Sequence, residues 1–286
     1  MRRLLWWGGT LSVSIILTLG CAPTGGPQVT GAPASSTQIS QQPKLLRVGF
    51  FPGPYADQFK RGVQPILEKQ GYRIEATEFS NAIQPNTALM DGSLDVNIFQ
   101  NAAFMNQFNS QNNGDLVEVL KIPSAPLGIY SSKYKSLAEM PEGAKISLPN
   151  DPTNLARAMV FLQSLNILSL RPGVEPSKAT EKDVGTNPKR VQLIPLDAPQ
   201  IPRALADVDY AAALGNHVIA AGMTLSEALA LEKPAPEYFI IIVTRKGKVQ
   251  DPAIRDLVAA YTSPEFKQFV QTDPKAKGFA IPPDWK

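Results

Sequence analysis

The stretch SLPNDPTNLARAM, Ser147–Met159, gathers an acid, two amides and a guanidinium within a few positions of a Pro-marked turn. If Asp151 caps a helix whose first residue is Pro152, Asn154 and Arg157 are three positions apart and share one helical face. Leu155, Ala158, Met159 and Leu162 then form the apolar stripe that packs inward. Arg157 would lie near the helix start, where unpaired N–H groups and the macrodipole already favour an anion. Its planar fork matches a carboxylate. The preceding KISLP reads as a strand that delivers this helix to its carboxyl end, where open α/β sheets take their ligands. A solvated arginine on a surface helix is the commoner case, so the weight falls on what else the chain carries.

Groupings for covalent or acid–base chemistry are scarce. His217 is the sole histidine and Cys21 the sole cysteine, which excludes an intrachain disulfide and a Cys-based metal cluster. No G-x-S-x-G elbow, no G-x-x-x-x-G-K-[ST] or G-x-G-x-x-G phosphate cradle and no H-E-x-x-H pair occurs. The pattern weighs against an enzyme and predicts neither a cofactor nor a metal, although carboxylates distant in sequence can still converge in space. His217 reads as a bystander or surface residue, and Tyr130 as core.

The N-terminus differs from the rest. Arg2 and Arg3 precede an apolar run from Leu4 to Leu19, and Gly20-Cys21 closes it, as in a secretory signal peptide over residues 1–20. The run is shorter than the roughly 20 apolar residues of a membrane span. From Ala22 to Pro43 there is no charge and no aromatic residue, so residues 21–43 read as a flexible tether reaching about 25 Å. Without Arg2 and Arg3, 26 basic residues face 25 acidic ones. That balance argues against nucleic acid as a partner and supplies no polybasic membrane patch.

The body alternates strand-like and helix-like segments. LLRVGFF, YRIEATEF, LDVNIFQ, KISLP, VQLIPL, YAAALG and YFIIIVTR read as strands. Helices are expected after most of them, and two more, DPAIRDLVAAYTS and PEFKQFVQT, towards the end of the chain. Pro65 should kink or restart the helix that follows PGPY, and Gly92 should close the one opened by Pro85. Repeated βα units predict α/β layering with a largely parallel sheet, and 43% hydrophobic content suffices for one large domain or two lobes.

SLPNDPTNLARAMVFLQ, DVNIFQNAAFM, QPNTALMDG, LDAPQIPRALADVD and YFIIIVTRKG, in that order from about Leu45 onward, resemble the methionine-binding lipoprotein family, also called the NlpA family. LTLGC resembles a lipobox, with Thr18 at the position where Leu is preferred. The resemblance implies an α/β, two-lobed periplasmic-binding-protein fold of type II, with mixed sheets flanked by helices, a ligand cleft between lobes and closure by hinge motion. The lobes expected from it are residues 44–140 with 225–286, and 141–224. The chain would leave the first near Lys135–Pro141 and return near Met223–Glu237. It implies a monomer anchored to the membrane, facing the periplasm or exterior, through lipid on Cys21. Such a receptor hands an amino acid, L-methionine first, to the permease and ATPase of an ABC importer.

Site residues carry over by position. Arg157 matches the family's carboxylate-binding arginine, Asn154 a nearby asparagine, and Asn216 an asparagine that helps hold the α-amino group. Phe99 falls on the aromatic of the FQ motif. Asn101, Phe104 and Ala82 stand where the family commonly has His, Tyr and Tyr, so the side-chain pocket is altered. Asn101 and Asn216 can each be read as a helix cap instead, and Phe99 and Phe104 as core. Another amino acid or a short peptide remains an alternative ligand. A ligand-free scaffold and a lipid-anchored enzyme are the further alternatives.

Overall fold

The computed structural model describes residues 44–285. The expected signal peptide, Cys21 and tether lie outside them. Among the described residues no helix is long and apolar enough to cross a membrane.

The first strand, β1 (Lys44–Phe50), is buried from Leu46 to Phe50 except for Arg47, and it ends at a sharp turn. Gly53 turns the chain there at φ 148°, a conformation L side chains rarely adopt, while facing the Asn216 carbonyl across the cleft. Next come α1 (Pro54–Gln58), a wide π-type segment (Phe59–Val63) and α2 (Gln64–Lys69). Pro65 has no N–H, and its ring clashes with the carbonyl four residues back, so the helix widens before it and restarts. Gly62 lets this segment lie against Phe266 and Phe269, which an added Cβ would meet at 2.6–2.8 Å.

Strand β2 (Tyr72–Glu78) is a wet edge, and α3 (Gln84–Met90) opens with Pro85 and closes before Gly92 at φ 86°. Buried β3 (Val96–Asn101) runs into α4 (Ala102–Asn112). Three buried amides tie α3 to β3. Asn86 Nδ2 donates to Gln100 Oε1 at 2.8 Å, Asn97 Nδ2 to Asn86 Oδ1 at 2.8 Å, and Gln100 Nε2 to Asn97 Oδ1 at 2.9 Å. A fully paired network of this kind fixes register without leaving a polar group stranded.

The chain continues through β4 (Leu116–Lys121), β5 (Leu127–Tyr130), β6 (Lys145–Pro149), α5 (Pro152–Ser164), the small hairpin strands β7 (Ser169–Leu170) and β8 (Val184–Thr186), β9 (Gln192–Leu196) and β10 (Tyr210–Leu214). It closes with α6 (Gly215–Ala220), β11 (Ala230–Leu231), β12 (Ile240–Arg245), α7 (Pro252–Thr262) and α8 (Pro264–Thr272). The sheets have the orders β2-β1-β3-β12-β4 and β11-β5-β10-β6-β9. Each packs on its own apolar cluster, one around Leu46, Val48, Phe59 and Tyr261, the other around Ile129, Ile146, Met159 and Leu162.

The architecture is the expected two-lobed α/β fold with mixed sheets. The expectation of largely parallel sheets fails at β12, antiparallel to both β3 and β4, and at β5, antiparallel to β10 and β11. In both places the chain has changed sheets and re-enters in the opposite sense. The expected lobe boundaries also need correction. β5 belongs to the second sheet, so the chain crosses between Lys121 and Leu127, not near Lys135–Pro141, and returns between Leu231 and Ile240. After β9, the expected helix is only two 3-10 turns, Ala198–Gln200 and Arg203–Ala206, because Pro199 and Pro202 withhold backbone donors.

Candidate functional site

A cavity of about 320 Å³ opens between the two sheets, at the low end of the size range of small-molecule sites. Its walls are built at the carboxyl ends of strands. β1 leads to Phe51, β3 to Phe99 and Asn101, β6 to Asn150 and Asp151, β9 to Asp197, and β10 to Leu214 and Asn216. This is where an open parallel arrangement leaves helix starts and loop amides facing one crevice.

The polar wall begins at α5. Asp151 caps the helix, accepting from Asn154 N at 3.0 Å, and Pro152 follows at the first position, as its sequence suggests. Asn154 Nδ2 lies 3.1 Å from both Asp151 oxygens, while Asn154 Oδ1 is buried without a partner. An orphaned acceptor in a cavity wall is costly unless a donor arrives there. The apolar stripe forms as expected, but Thr153, Asn154 and Arg157 are buried as well, because this face meets α4 and the cavity. Thr153 Oγ1 donates to Gln107 Oε1 on α4 at 2.7 Å.

Arg157 is 5% exposed and is not an open fork. Its Nε donates to both Glu232 oxygens at 3.0 Å, and its Nη2 donates to Glu232 Oε2 at 2.5 Å. The Tyr238 ring lies 4.7 Å from the guanidinium carbon, a cation–π distance. Glu232 Oε2 also accepts from Leu127 N at 3.3 Å, fixing the carboxylate to β5. Nη1 makes no hydrogen bond among the described residues, and it is not one of the sealed, unpartnered atoms. Arg157 thus keeps one donor edge available on the cavity side.

The apolar wall comes from the first lobe. Phe99 meets Phe104 edge-on at 6.1 Å and Phe51 at 6.5 Å, and Ile240 and Ala82 complete the slot. Asn101 lines the cavity and also caps α4, its Oδ1 accepting from Phe104 N at 2.8 Å. Tyr55 Oη accepts from Ala125 N at 3.1 Å, and burial pushes its pKa up.

All seven site residues expected from the sequence, Arg157, Asn154, Asn216, Phe99, Asn101, Phe104 and Ala82, border this one cavity. Asn216 lies within the first turn of α6 and is not its cap. His217 corrects the sequence expectation. It is 8% exposed, lines the cavity and meets Phe51 edge-on at 5.7 Å. Burial lowers its pKa to about 4, so the ring is neutral at physiological pH. Sequence reasoning missed Glu232, Tyr238 and Tyr55. The only local hint was two acids, Glu232 and Glu237, in the otherwise turn-like LEKPAPEY.

The NlpA lipoprotein family model matches residues 46–283. D-methionine-binding lipoprotein MetQ of Salmonella typhi is 33% identical over 235 residues, covering 81% of this chain and 86% of that protein. A nutrient binding protein from Burkholderia cenocepacia, solved bound to methionine, superposes with a TM-score of 0.77 at 34% identity, covering 82% of this chain and 99% of that one. An ABC transporter periplasmic substrate-binding protein from Coxiella burnetii gives 0.76 at 34% identity, covering 83% and 99%.

Proposed function

The chain belongs to the NlpA lipoprotein family, and from that premise we propose that it is an extracytoplasmic receptor for an α-amino acid, methionine first, serving an ABC importer. The observation that carries this reading is the meeting, in one small cavity, of a free guanidinium edge on Arg157 with the Asp151 carboxylate and the Asn216 amide. A zwitterion suits both. Its carboxylate takes the Arg157 Nη1 edge, and its ammonium faces Asp151 and Asn216, with Asn154 Oδ1, sealed in this conformation, as a further acceptor once the wall adjusts. The slot of Phe51, Phe99, Phe104 and Ile240 receives a flexible thioether through apolar and sulfur–aromatic contact. Relatives named for methionine support the same ligand.

The two chain crossings between sheets supply the hinge. An open form admits the ligand, the closed form excludes water from the ion pair, and the closed form is what the permease docks. Lipid on Cys21 and the tether after it keep the body beside that permease at high effective concentration. No step of this cycle alters the ligand.

A thermal-shift screen of residues 44–286 against L- and D-methionine, the other amino acids and a few dipeptides tests the reading. A ligand at 100 times its Kd should add about 2.7 kcal/mol of stability. Stabilisation by methionine supports it. Stabilisation only by another amino acid keeps the receptor role and reassigns the slot. Indifference to every compound overturns the proposal.

A further inference from the structure

We propose that Glu232 makes the α-ammonium of the ligand obligatory, by holding the guanidinium of Arg157 in place and cancelling its charge. This rests on the receptor reading above and deepens it.

Arg157 is the one strong cation bordering the cavity among the described residues, because His217 is neutral there. Unpaired, it would attract any small carboxylate, with or without an amino group. Glu232 changes that. It occupies the Nε–Nη2 edge, sits behind the guanidinium outside the cavity lining, and is itself held by the Leu127 N–H. Two further carboxylates, Asp151 and Asp197, border the cavity, each steadied by a neighbouring amide. Asp151, Asp197 and Arg157 already leave the lining one negative charge in excess, and Glu232, by offsetting Arg157, raises the excess to two.

A carboxylate arriving at the Nη1 edge shares one guanidinium with Glu232 and adds a further negative charge to an acidic cavity. Like charges at such range repel strongly when nothing compensates them. An α-ammonium directed at Asp151 on the cavity wall supplies that compensation, and a bare carboxylic acid cannot. Glu232 also sets which edge of Arg157 faces the ligand, so it is a positioning residue as well as a charge.

The test compares methionine with 4-(methylthio)butanoate, the same skeleton without the amino group, by calorimetric titration of residues 44–286. The wild type should prefer methionine by about 100-fold or more. In Glu232→Gln, which keeps an acceptor for Arg157, that preference should narrow to about tenfold or less, chiefly through tighter binding of the des-amino acid. Glu232→Asp, which keeps the charge, should restore most of the preference. A merely structural role would weaken both ligands together and leave their ratio unchanged, and an unchanged ratio in a Glu232→Gln protein with a normal melting transition overturns the proposal. Should that variant fail to fold, equal wild-type affinity for the two compounds overturns it just as well. If the wild type binds neither methionine nor any other amino acid, the receptor reading itself falls and takes this inference with it.

Discussion

The two walls of the cavity are made of different chemistry. The first-sheet wall is mostly aromatic and amide: Phe51, Phe99, Phe104, Tyr55 and Asn101. The second-sheet wall carries Asp151, Arg157 and Asp197, the only Asp, Glu, Lys or Arg residues that border the cavity among those described. On the proposed reading recognition is divided: the second-sheet wall would read the head group common to all amino acids, and the first-sheet wall the side chain that distinguishes them. Closure of the lobes onto a ligand would then couple ligand identity to closure.

Arg157→Ala breaks the comparison most severely. Leaving the ligand's carboxylate and Glu232 without their shared cation should cost about 2–5 kcal/mol of affinity, measured by calorimetry, for every amino acid that binds. Equal affinity in variant and wild type would remove the head-group role from this wall.

His217 tests whether the polar wall really holds a single cation. Its folded pKa, about 4, lies below the ordinary value of 6.5, so between those values the unfolded chain binds the extra proton. Stability should be fully present above pH 6.5 and fall as the pH drops towards 4, by up to about 3 kcal/mol from this group. In His217→Gln that part of the acid-side loss should vanish from chemical-denaturation curves taken across this range. An unchanged slope would mean that the ring charges in place.

Phe104→Ala sharpens the comparison from the opposite side and has the smallest expected effect. Phe104 is half-buried against Phe99, so its loss should weaken methionine binding by about 1.5 kcal/mol, roughly tenfold. Binding of alanine, with only a methyl side chain, should hardly change. Equal losses for both amino acids would show that the first-sheet wall also supports the head group.

Much of this division was legible in the chain. Asp151, Pro152, Asn154 and Arg157 lie within one helical start, so cap, face and fork follow from local spacing. Pro65 and Gly92 likewise announced their breaks, because a missing N–H and a left-handed turn are properties of single residues. Where partners lie far apart in the chain, the reading failed. β5 looked like part of the first lobe, since nothing in LGIY states that its partner is Tyr210–Leu214. His217 looked like a bystander for the same reason: its burial depends on Phe51, far away in the chain.

The sequence by itself determined the local pieces: the strands, the capped α5, the aromatics near FQ, the near-neutral charge and the family resemblance. The resemblance rests on its matched motifs; the others rest on periodicity, on the conformational limits of Pro and Gly, and on side-chain chemistry, which act over a few residues. Only the tertiary structure decided the state of Arg157. Its Glu232 partner stands 75 residues away on a returning crossover, and that pairing turns an apparently waiting cation into a charge-balanced one with a single edge left for a ligand. Such a pairing requires β5 and β11 to bring the crossover beneath α5, a condition set by sheet packing and by no residue's own preference.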